Sequence, residues 1–484
     1  MNHTDLLVVL PLIVLVAWSL VLILVDLWVP ARSKGITAAL AAIGLLGATA
    51  ATLVVGARTA EPQGAFYGMV VLDRFSVYLQ VLFLISGVAG VGIAYDYLKR
   101  MGIERGEYYT LLLLSVSGMM LMSMANDLLI IFLALELLSI PLYVLVGFAR
   151  PQVESEEASL KYFLIGAFAS GFVLYGSALI YGATGNTNLS AIVAAANRGS
   201  VNLTLLLAGA LLLLVGFGFK VAAFPFHMWT PDVYQGAPAP VTGFMSVAVK
   251  AAGFAALLRV FTLALPAVWS DLTPILLVIA ALTILFGNVV AIAQSNIKRM
   301  LAYSSIAHAG YILMAFVPFG QNGMQPLVIG SALFYLVAYG LTSIGAWAVV
   351  VALEQSEGQG LEIDDYRGLG WRHPALGAAM AVFMLSFTGV PPLMGFWGKL
   401  YLFSSTINAG FLWLAVVGLI GTLISAYYYL RVVVVMYMRQ GEPVVRVDKW
   451  VYVVALGSAV VLVVLSFVPA PLFQAAAGAL LALP

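Results

Sequence analysis

The sequence predicts an all-α polytopic membrane protein, a bundle of about fourteen transmembrane helices. Three observations predict it. The 484 residues are 63% hydrophobic and only 9% charged, with a mean hydropathy of +1.05, whereas soluble domains carry about a quarter of their residues as charges. Apolar runs of about 20 residues, the length that crosses a bilayer, recur along the whole chain. These runs do not alternate polar with apolar residues, which excludes barrel strands and leaves helices that satisfy their own backbone hydrogen bonds.

The spans fall roughly at 5–29, 36–57, 76–97, 107–124, 128–149, 157–181, 202–226, 238–263, 272–293, 298–318, 326–352, 375–408, 410–438 and 450–468. The first 29 residues lack a basic leader and a small-residue cleavage site, so they read as a retained helix rather than a signal peptide. The run at 375–408 is too long for one straight crossing and holds Gly389, Pro391, Pro392 and Gly395, which predict a break near its middle. Pro225 likewise interrupts the seventh span.

Loop charge orients the bundle. Thirteen cations follow odd-numbered spans: Arg32, Lys34, Lys99, Arg100, Arg105, Arg150, Lys298, Arg299, Arg367, Arg372, Arg439, Arg446 and Lys449. Three follow even-numbered spans: Arg58, Arg74 and Arg198. The positive-inside rule places the odd loops in the cytoplasm, both termini on the outer side, and the chain in the cell inner (plasma) membrane.

Spans four to eight and nine to thirteen form two sets of five, and the fourth member of each set is the broken one. A unit with an odd number of spans, repeated in tandem, inserts upside down relative to its copy. The expected division is residues 1–106 for three N-terminal helices, 107–263 for the first five-helix unit, 272–438 for an inverted second unit, and 439–484 for the last helix. Inverted repeats with discontinuous helices are a transporter architecture, because a broken helix presents backbone dipoles to an ion.

Six further cations lie inside spans: Lys161, Lys220, Lys250, Arg259, Lys399 and Arg431, with the acid Glu136 in mid-span. A charge at a helix centre costs about 2.5–3.5 kcal/mol on insertion scales, and proton relays are a common reason to carry it. Burial weakens an amine's hold on its proton, and a nearby carboxylate strengthens it again. At about 4 Å and an effective dielectric near 20 such a pair interacts by about 4 kcal/mol, enough to switch proton affinity when one partner changes state. His227, beside the Pro225 break, and His308 are neutral groups able to pass protons in either direction. Each position has a structural alternative. Lys220 and Lys250 would serve as ion-pair members, Glu136 and Lys399 as structural residues, and the histidines as satisfied core residues. Lys161 stands one turn inside its helix behind Glu154, Glu156 and Glu157 and would snorkel. Arg259 and Arg431 read as anchors near helix ends, and Lys298 and Arg299 as loop charges.

The composition also excludes functions. With no cysteine, the chain holds no disulfide, no thiolate-bound iron–sulfur cluster and no cysteine zinc site. A net charge of +1 argues against nucleic-acid binding. There is no Walker loop or dinucleotide fingerprint. Haem ligation by His227 and His308 would leave the lysines unexplained.

The stretch FKVAAFPFHMWTPDVYQGAPAPVTGFMSVAVKAAGF (219–254), with LLIIFLALELLSIPLYVL, SLKYFLIGAFASG, SNIKRMLAYSSIAHAGY and SFTGVPPLMGFWGKLYLF, closely resembles the antiporter-like membrane subunits of respiratory complex I. The resemblance runs from about residue 65 to 440. FHMWTPDVYQGAP and GFWGKLYLF are similar to the subunit N group, whereas sister subunits show a leucine-rich H-x-W-L-P version and the largest of them adds a lateral helix. The resemblance implies a fourteen-helix fold with discontinuous helices seven and twelve and a proton-translocating role in NADH:quinone oxidoreductase. It implies a relay in which Glu136 is the coupling glutamate and Lys161 the lysine it interacts with. Lys220 is then the lysine of broken helix seven, Lys250 that of helix eight and Lys399 that of broken helix twelve, with His227 and His308 along the central axis. It implies that FMN, iron–sulfur clusters and quinone belong to other subunits and that no metal or cofactor is bound here. The implied partners are neighbouring antiporter-like and small helical subunits and the lipid bilayer. The alternatives are a subunit of a multisubunit sodium/proton antiporter, which shares the fold, and a purely structural subunit whose charges are relics.

Overall fold

The computed structural model describes residues 3–30, 33–59, 61–199, 201–320, 324–355, 359–446 and 448–481; the loop cation Arg32 lies outside them. Among the described residues the chain is helical apart from one short hairpin and its connections. In chain order come α1 (His3–Asp26), α2 (Gly35–Arg58), β1 (Gln63–Ala65), β2 (Val70–Leu72), α3 (Arg74–Arg100), α4 (Glu107–Met124), α5 (Leu128–Val146), α6 (Val153–Thr184) and α7 (Leu189–Asn197). Then follow α8 (Leu203–Val221), α9 (Trp229–Gly236), α10 (Ala239–Ala264), α11 (Pro266–Ile292), α12 (Ile297–Phe316) and α13 (Gln325–Leu353). The last are α14 (Pro374–Thr388), α15 (Met394–Asn408), α16 (Leu412–Met438), α17 (Lys449–Phe467) and α18 (Pro469–Gly478).

Twelve of the described helices are long and apolar enough to cross a membrane. The hairpin, in which Gln63 pairs with Leu72 and Ala65 with Val70, is not legible as a period in the sequence, and neither are α7 and α18. Both expected breaks are present. The seventh span parts earlier than Pro225: α8 stops at Val221, Ala222 takes a left-handed conformation (φ 63°), and the helix resumes at Trp229. The twelfth span parts at Gly389, also left-handed (φ 88°), and resumes at Met394. Gly395 is needed there, because a Cβ would collide with the Ser386 carbonyl oxygen of α14.

Burial locates the core. The most apolar windows of α10, α12 and α13 are 94, 94 and 89% buried, against 33% for α1 and 28% for α17. Three helices are thus enclosed by protein, while α1, α2, α6, α16 and α17 present leucine, valine and phenylalanine outward. The central α10 is not a regular α-helix: π turns at Met245–Val249 and Val260–Ala264 underwind it just before Lys250 and just after Arg259. Such turns concentrate at functional positions.

Hydrogen bonds separate the connections into two sets. On one end, Arg100 binds the Val351 and Glu354 carbonyls and pairs with Asp448, Arg299 pairs with Asp232, and Arg439 pairs with Asp364. These contacts tie together the basic segments that follow odd-numbered spans, and this end is termed the basic end. On the other, Asn126 N donates to the Met69 carbonyl and Arg259 reaches Asp73. Arg259 is no snorkelling anchor. It is fully buried, its Nη2 lies 2.9 Å from both Asp73 oxygens, and its Nε and Nη1 make no hydrogen bond. Arg431 does act as an anchor, donating to the Ile292 and Gln294 carbonyls at the end of α11.

Two backbone bridges have the same form. Leu128 N donates to the Thr187 carbonyl and Leu189 N to the Asn126 carbonyl, joining the start of α5 to the segment after α6. Ile297 N donates to the Leu361 carbonyl and Ile363 N to the Ser295 carbonyl, joining the start of α12 to the segment after α13. In each case the residue between the bridged positions, Asp127 or Asn296, caps its helix with its side chain.

Replacing Arg259 with Ala is expected to destabilise the protein by about 3–5 kcal/mol, because the buried Asp73 carboxylate would lose the cation that pairs with it. A thermal-unfolding midpoint equal to that of the unaltered protein would contradict this.

Candidate functional site: a line of buried amines

Lys220 occupies the last turn of α8, directly before the break, and is 3% exposed. Its ammonium donates to Ser139 Oγ of α5 at 2.7 Å and to the Tyr162 hydroxyl of α6 at 3.2 Å, and lies 5.3 Å from the Tyr162 ring centre. Glu136, one turn before Ser139 on α5, is the carboxylate whose charge acts on Lys220. Glu136 is half-buried, and its Oε1 is buried without a hydrogen bond.

Lys250 follows the first π turn of α10 and donates to the Ser305 carbonyl of α12, with the Tyr339 ring of α13 at 5.7 Å. The two lysines sit on touching helices: a Cβ at Gly253, one turn beyond Lys250, would lie 3.5 Å from Lys220 Cβ. His308, one turn beyond Ser305 on α12, stands between hydroxyls. Its Nδ1 is 2.7 Å from Tyr335 OH and its Nε2 is 2.9 Å from Tyr429 OH, so one nitrogen donates and the other accepts when the ring is neutral. The charges that act on His308 are those of Lys399 and Lys250. Lys399, on α15, donates at 3.0 Å to the carbonyls of Phe387 and Thr388, the last residues of α14. Those carbonyls have no acceptor duty inside their own helix and carry the negative end of its dipole, so the break itself supplies the lysine's partners.

Lys220, Lys250, His308 and Lys399 are therefore brought together as a row through the centre of the bundle, with Glu136 at one end. Two expected members stand apart. Lys161 is not buried: its side chain is 42% exposed and pairs with Glu157 at 2.7 Å and Asp232 at 2.9 Å. The acid expected to partner it, Glu136, acts on Lys220 instead. The reason is position on the helix, since Lys161 lies only two turns into α6 and reaches the carboxylate of α9 at the basic end. His227 is buried within the α8–α9 break, between Phe224 and Phe286 at 5.3 and 4.6 Å, with Nδ1 unbonded. No hydrogen bond joins it to the lysines among the described residues.

Sequence reasoning missed the hydroxyls. Tyr162, Tyr335, Tyr339 and Tyr429 are all buried beside the row, but an aromatic residue in an apolar span reads as core. Only the serines beside Glu136 and His308, in LELLSI and YSSIAH, hinted at polar neighbours. It also misread Lys298, which is no loop charge: it is 2% exposed and paired with Glu354 at 3.2 Å. Among the described residues no cluster of three or more potential metal ligands occurs.

Comparison with known proteins bears on this row. The transmembrane family described as NADH:quinone oxidoreductase/Mrp antiporter matches residues 125–425, which contain every amine above. NADH-quinone oxidoreductase subunit N of Trichlorobacter lovleyi is 47% identical over 90% of this chain and 88% of its own length. The chain belongs to the subunit N family of NADH:quinone oxidoreductases. A second relative of the same name, from Chloroflexus aggregans, is 45% identical over 97% of this chain and 96% of its own. Among solved structures, a chain of respiratory complex I from Thermus thermophilus superposes with a TM-score of 0.82 at 37% identity, covering 97% of this chain and all of that one. The subunit N resemblance carried by FHMWTPDVYQGAP and GFWGKLYLF is thereby borne out along nearly the whole length.

Replacing Tyr335 or Tyr429 with Phe is expected to strand one imidazole nitrogen of His308, at a cost of about 1–3 kcal/mol. Thermal unfolding of the purified complex reads this directly, and an undiminished midpoint in both variants would show that the ring is not held by these hydroxyls.

Proposed function

We propose that this chain is a proton-translocating membrane subunit of NADH:quinone oxidoreductase, and that its row of buried amines is the proton path. The observation that carries the relay is the succession of buried polar groups Glu136, Lys220, Lys250, His308 and Lys399 on neighbouring helices, in which each amine rests on neutral oxygens rather than on a fixed carboxylate. A lysine held by carbonyl and hydroxyl oxygens is stabilised enough to carry charge, yet not locked into it as it would be by a buried acid at contact distance.

Glu136 receives the driving perturbation from a neighbouring subunit across the half-exposed face of α5. A change in its charge alters the proton affinity of Lys220. That shift passes along touching helices to Lys250, through the imidazole of His308, and to Lys399, which releases a proton on the outer side. Lys161 and Asp232 serve this scheme as a surface pair at the basic end, and His227 as a polar position at the break. Electron transfer takes place elsewhere in the complex, where other subunits hold FMN, iron–sulfur clusters and quinone, and this chain holds no redox centre. Antiporter-like and small helical subunits are its partners in the membrane.

The basic end faces the cytoplasm in this reading, with both termini outside and the chain in the cell inner membrane, as the concentration of Arg and Lys at one end favours. Fourteen crossings result when Glu107–Met124 and the jointed pair α14–α15 are added to the twelve long apolar helices. Spans four to eight and nine to thirteen are then inverted copies. The matched backbone bridges at Asp127 and Asn296, on opposite ends of the bundle, support that relation, as does a lysine at each broken helix.

Replacing Lys220 with Ala, or Glu136 with Gln, is expected to lower NADH-driven proton pumping at least roughly tenfold while the complex still assembles. Proton uptake by inverted membrane vesicles measures this, and pumping at the unaltered rate in both variants would refute the relay.

A further inference from the structure

A second buried charge system lies outside the row. Lys298, in the first turn of α12, sits 3.2 Å from Glu354 Oε1 and donates to the Ala237 carbonyl at 2.7 Å. One ammonium thus joins the start of α12, the end of α13 and the end of α9. Both members are buried, and stability alone is a weak reason for such a pair, since desolvation of two charges offsets most of their attraction.

Three observations point to a use. The pair lines a polar cleft of about 620 Å³ at the basic end, together with Glu157, Lys161, Asp232 and Gln235, and its two members are the most deeply buried charges in that lining. The second carboxylate oxygen, Glu354 Oε2, is buried with no hydrogen bond of good geometry, and the carboxylate's hydroxyl neighbour is Tyr97, so Oε2 is open to a proton. Further inward, on the same face of α12, hydroxyls gather around Ser305, next to Lys250. Tyr234, three residues before Ala237, places its hydroxyl beside Ser305. Tyr339 OH donates to Ser305 Oγ at 3.0 Å, and Lys250 donates to the Ser305 carbonyl. Lys298, Ser305 and His308 recur on α12 at spacings of seven and three, which puts them on one face, with a rise of about 10 Å from Lys298 to Ser305.

We propose that the Glu354–Lys298 pair is the station through which protons from the polar cleft load Lys250. The proposal rests on the relay reading given above. A proton arriving through the cleft bonds to Glu354 Oε2 and cancels the carboxylate's charge. Lys298 then gives up an N–H proton, which moves by way of the Tyr234 and Ser305 hydroxyls to the neutral amine of Lys250. The Glu354 proton passes to Lys298 and the ion pair is restored, so that one proton enters for each one delivered. The other groups facing Glu354 leave room for this change. Tyr97 of α3 and Tyr366 of the segment after α13 are neutral neighbours. Arg100 meets Glu354 through its backbone carbonyl and is otherwise engaged with the Val351 carbonyl and Asp448.

The test uses the whole complex carrying Glu354→Gln, Glu354→Asp or Lys220→Ala. The expected result for Glu354→Gln is NADH:quinone turnover and pumping lowered at least roughly tenfold, a deficit that deepens as the pH on the cytoplasmic side rises. Formate, a small acid that fits the cleft, is expected to restore turnover of the detergent-solubilised Gln variant while leaving the unaltered complex unchanged. Turnover at the unaltered rate in the Gln variant, or a deficit that formate does not relieve, overturns the proposal; the second outcome is that of a merely structural tie. If the Gln variant does not assemble, the Asp variant decides, since a shorter carboxyl slows delivery and is rescued by formate or the proposal fails. Lys220→Ala separates the two readings. Lost pumping there beside normal turnover in Glu354→Gln refutes the intake alone, whereas normal pumping in Lys220→Ala refutes the relay beneath it.

Discussion

An ammonium group enclosed by apolar helices must find oxygen, and in this bundle that requirement organises everything around it. A carboxylate at contact distance would satisfy the charge but would fix it in place. Neutral oxygens hold it more loosely, and inside a helical bundle they come from few sources. Carbonyls at a helix terminus are one, and breaking a span creates a terminus in mid-bundle. Lys399 takes two such carbonyls, Phe387 and Thr388, where α14 stops. Lys220 closes the truncated α8 and reaches hydroxyls on α5 and α6. The breaks and the lysines are thus two halves of one arrangement.

Tyrosine does much of the remaining work. Its ring belongs to the core packing and its hydroxyl to the polar row, so a single residue fills volume and supplies a hydrogen-bond partner. Around His308 the hydroxyls of Tyr335 and Tyr429 fix the ring from both sides, and the rings of Tyr339 and Phe387 pack at 5.0 and 5.2 Å. The hydrogen-bonding groups of the site stand on the three most enclosed helices and their immediate neighbours.

Acids are placed sparingly. Asp73 with Arg259 is locked and fully buried at the end opposite the basic loops, where it ties the hairpin segment to α10. Glu136 and Glu354 keep one buried oxygen each without a protein hydrogen bond, and both belong to boundaries, one at an exposed helix face and one at a polar cleft. The acid clamped by a buried guanidinium serves cohesion, and the acids left partly open lie where the interior meets something outside it.

Much of this was written in the sequence. Hydropathy and length determined the membrane bundle, because the cost of exposing a backbone to lipid is local to each span. Gly389, Pro391 and Pro392 marked one break, because backbone restriction is a property of the residues themselves. The mid-span position of Glu136, Lys220, Lys250 and Lys399 identified buried charges. Partners were another matter. Lys161 and Lys220 both lie inside spans, and the sequence shows Lys161 near its helix end but not its partner, which is Asp232, while Lys220 is enclosed with Ser139 and Tyr162. Lys298 reads as a loop charge, 56 residues from Glu354, until α12 and α13 bring the two together. A sequence records what each residue costs to bury, whereas only the packing of helices decides which other residue meets that cost, since the contact depends on rotation and depth that no single span fixes.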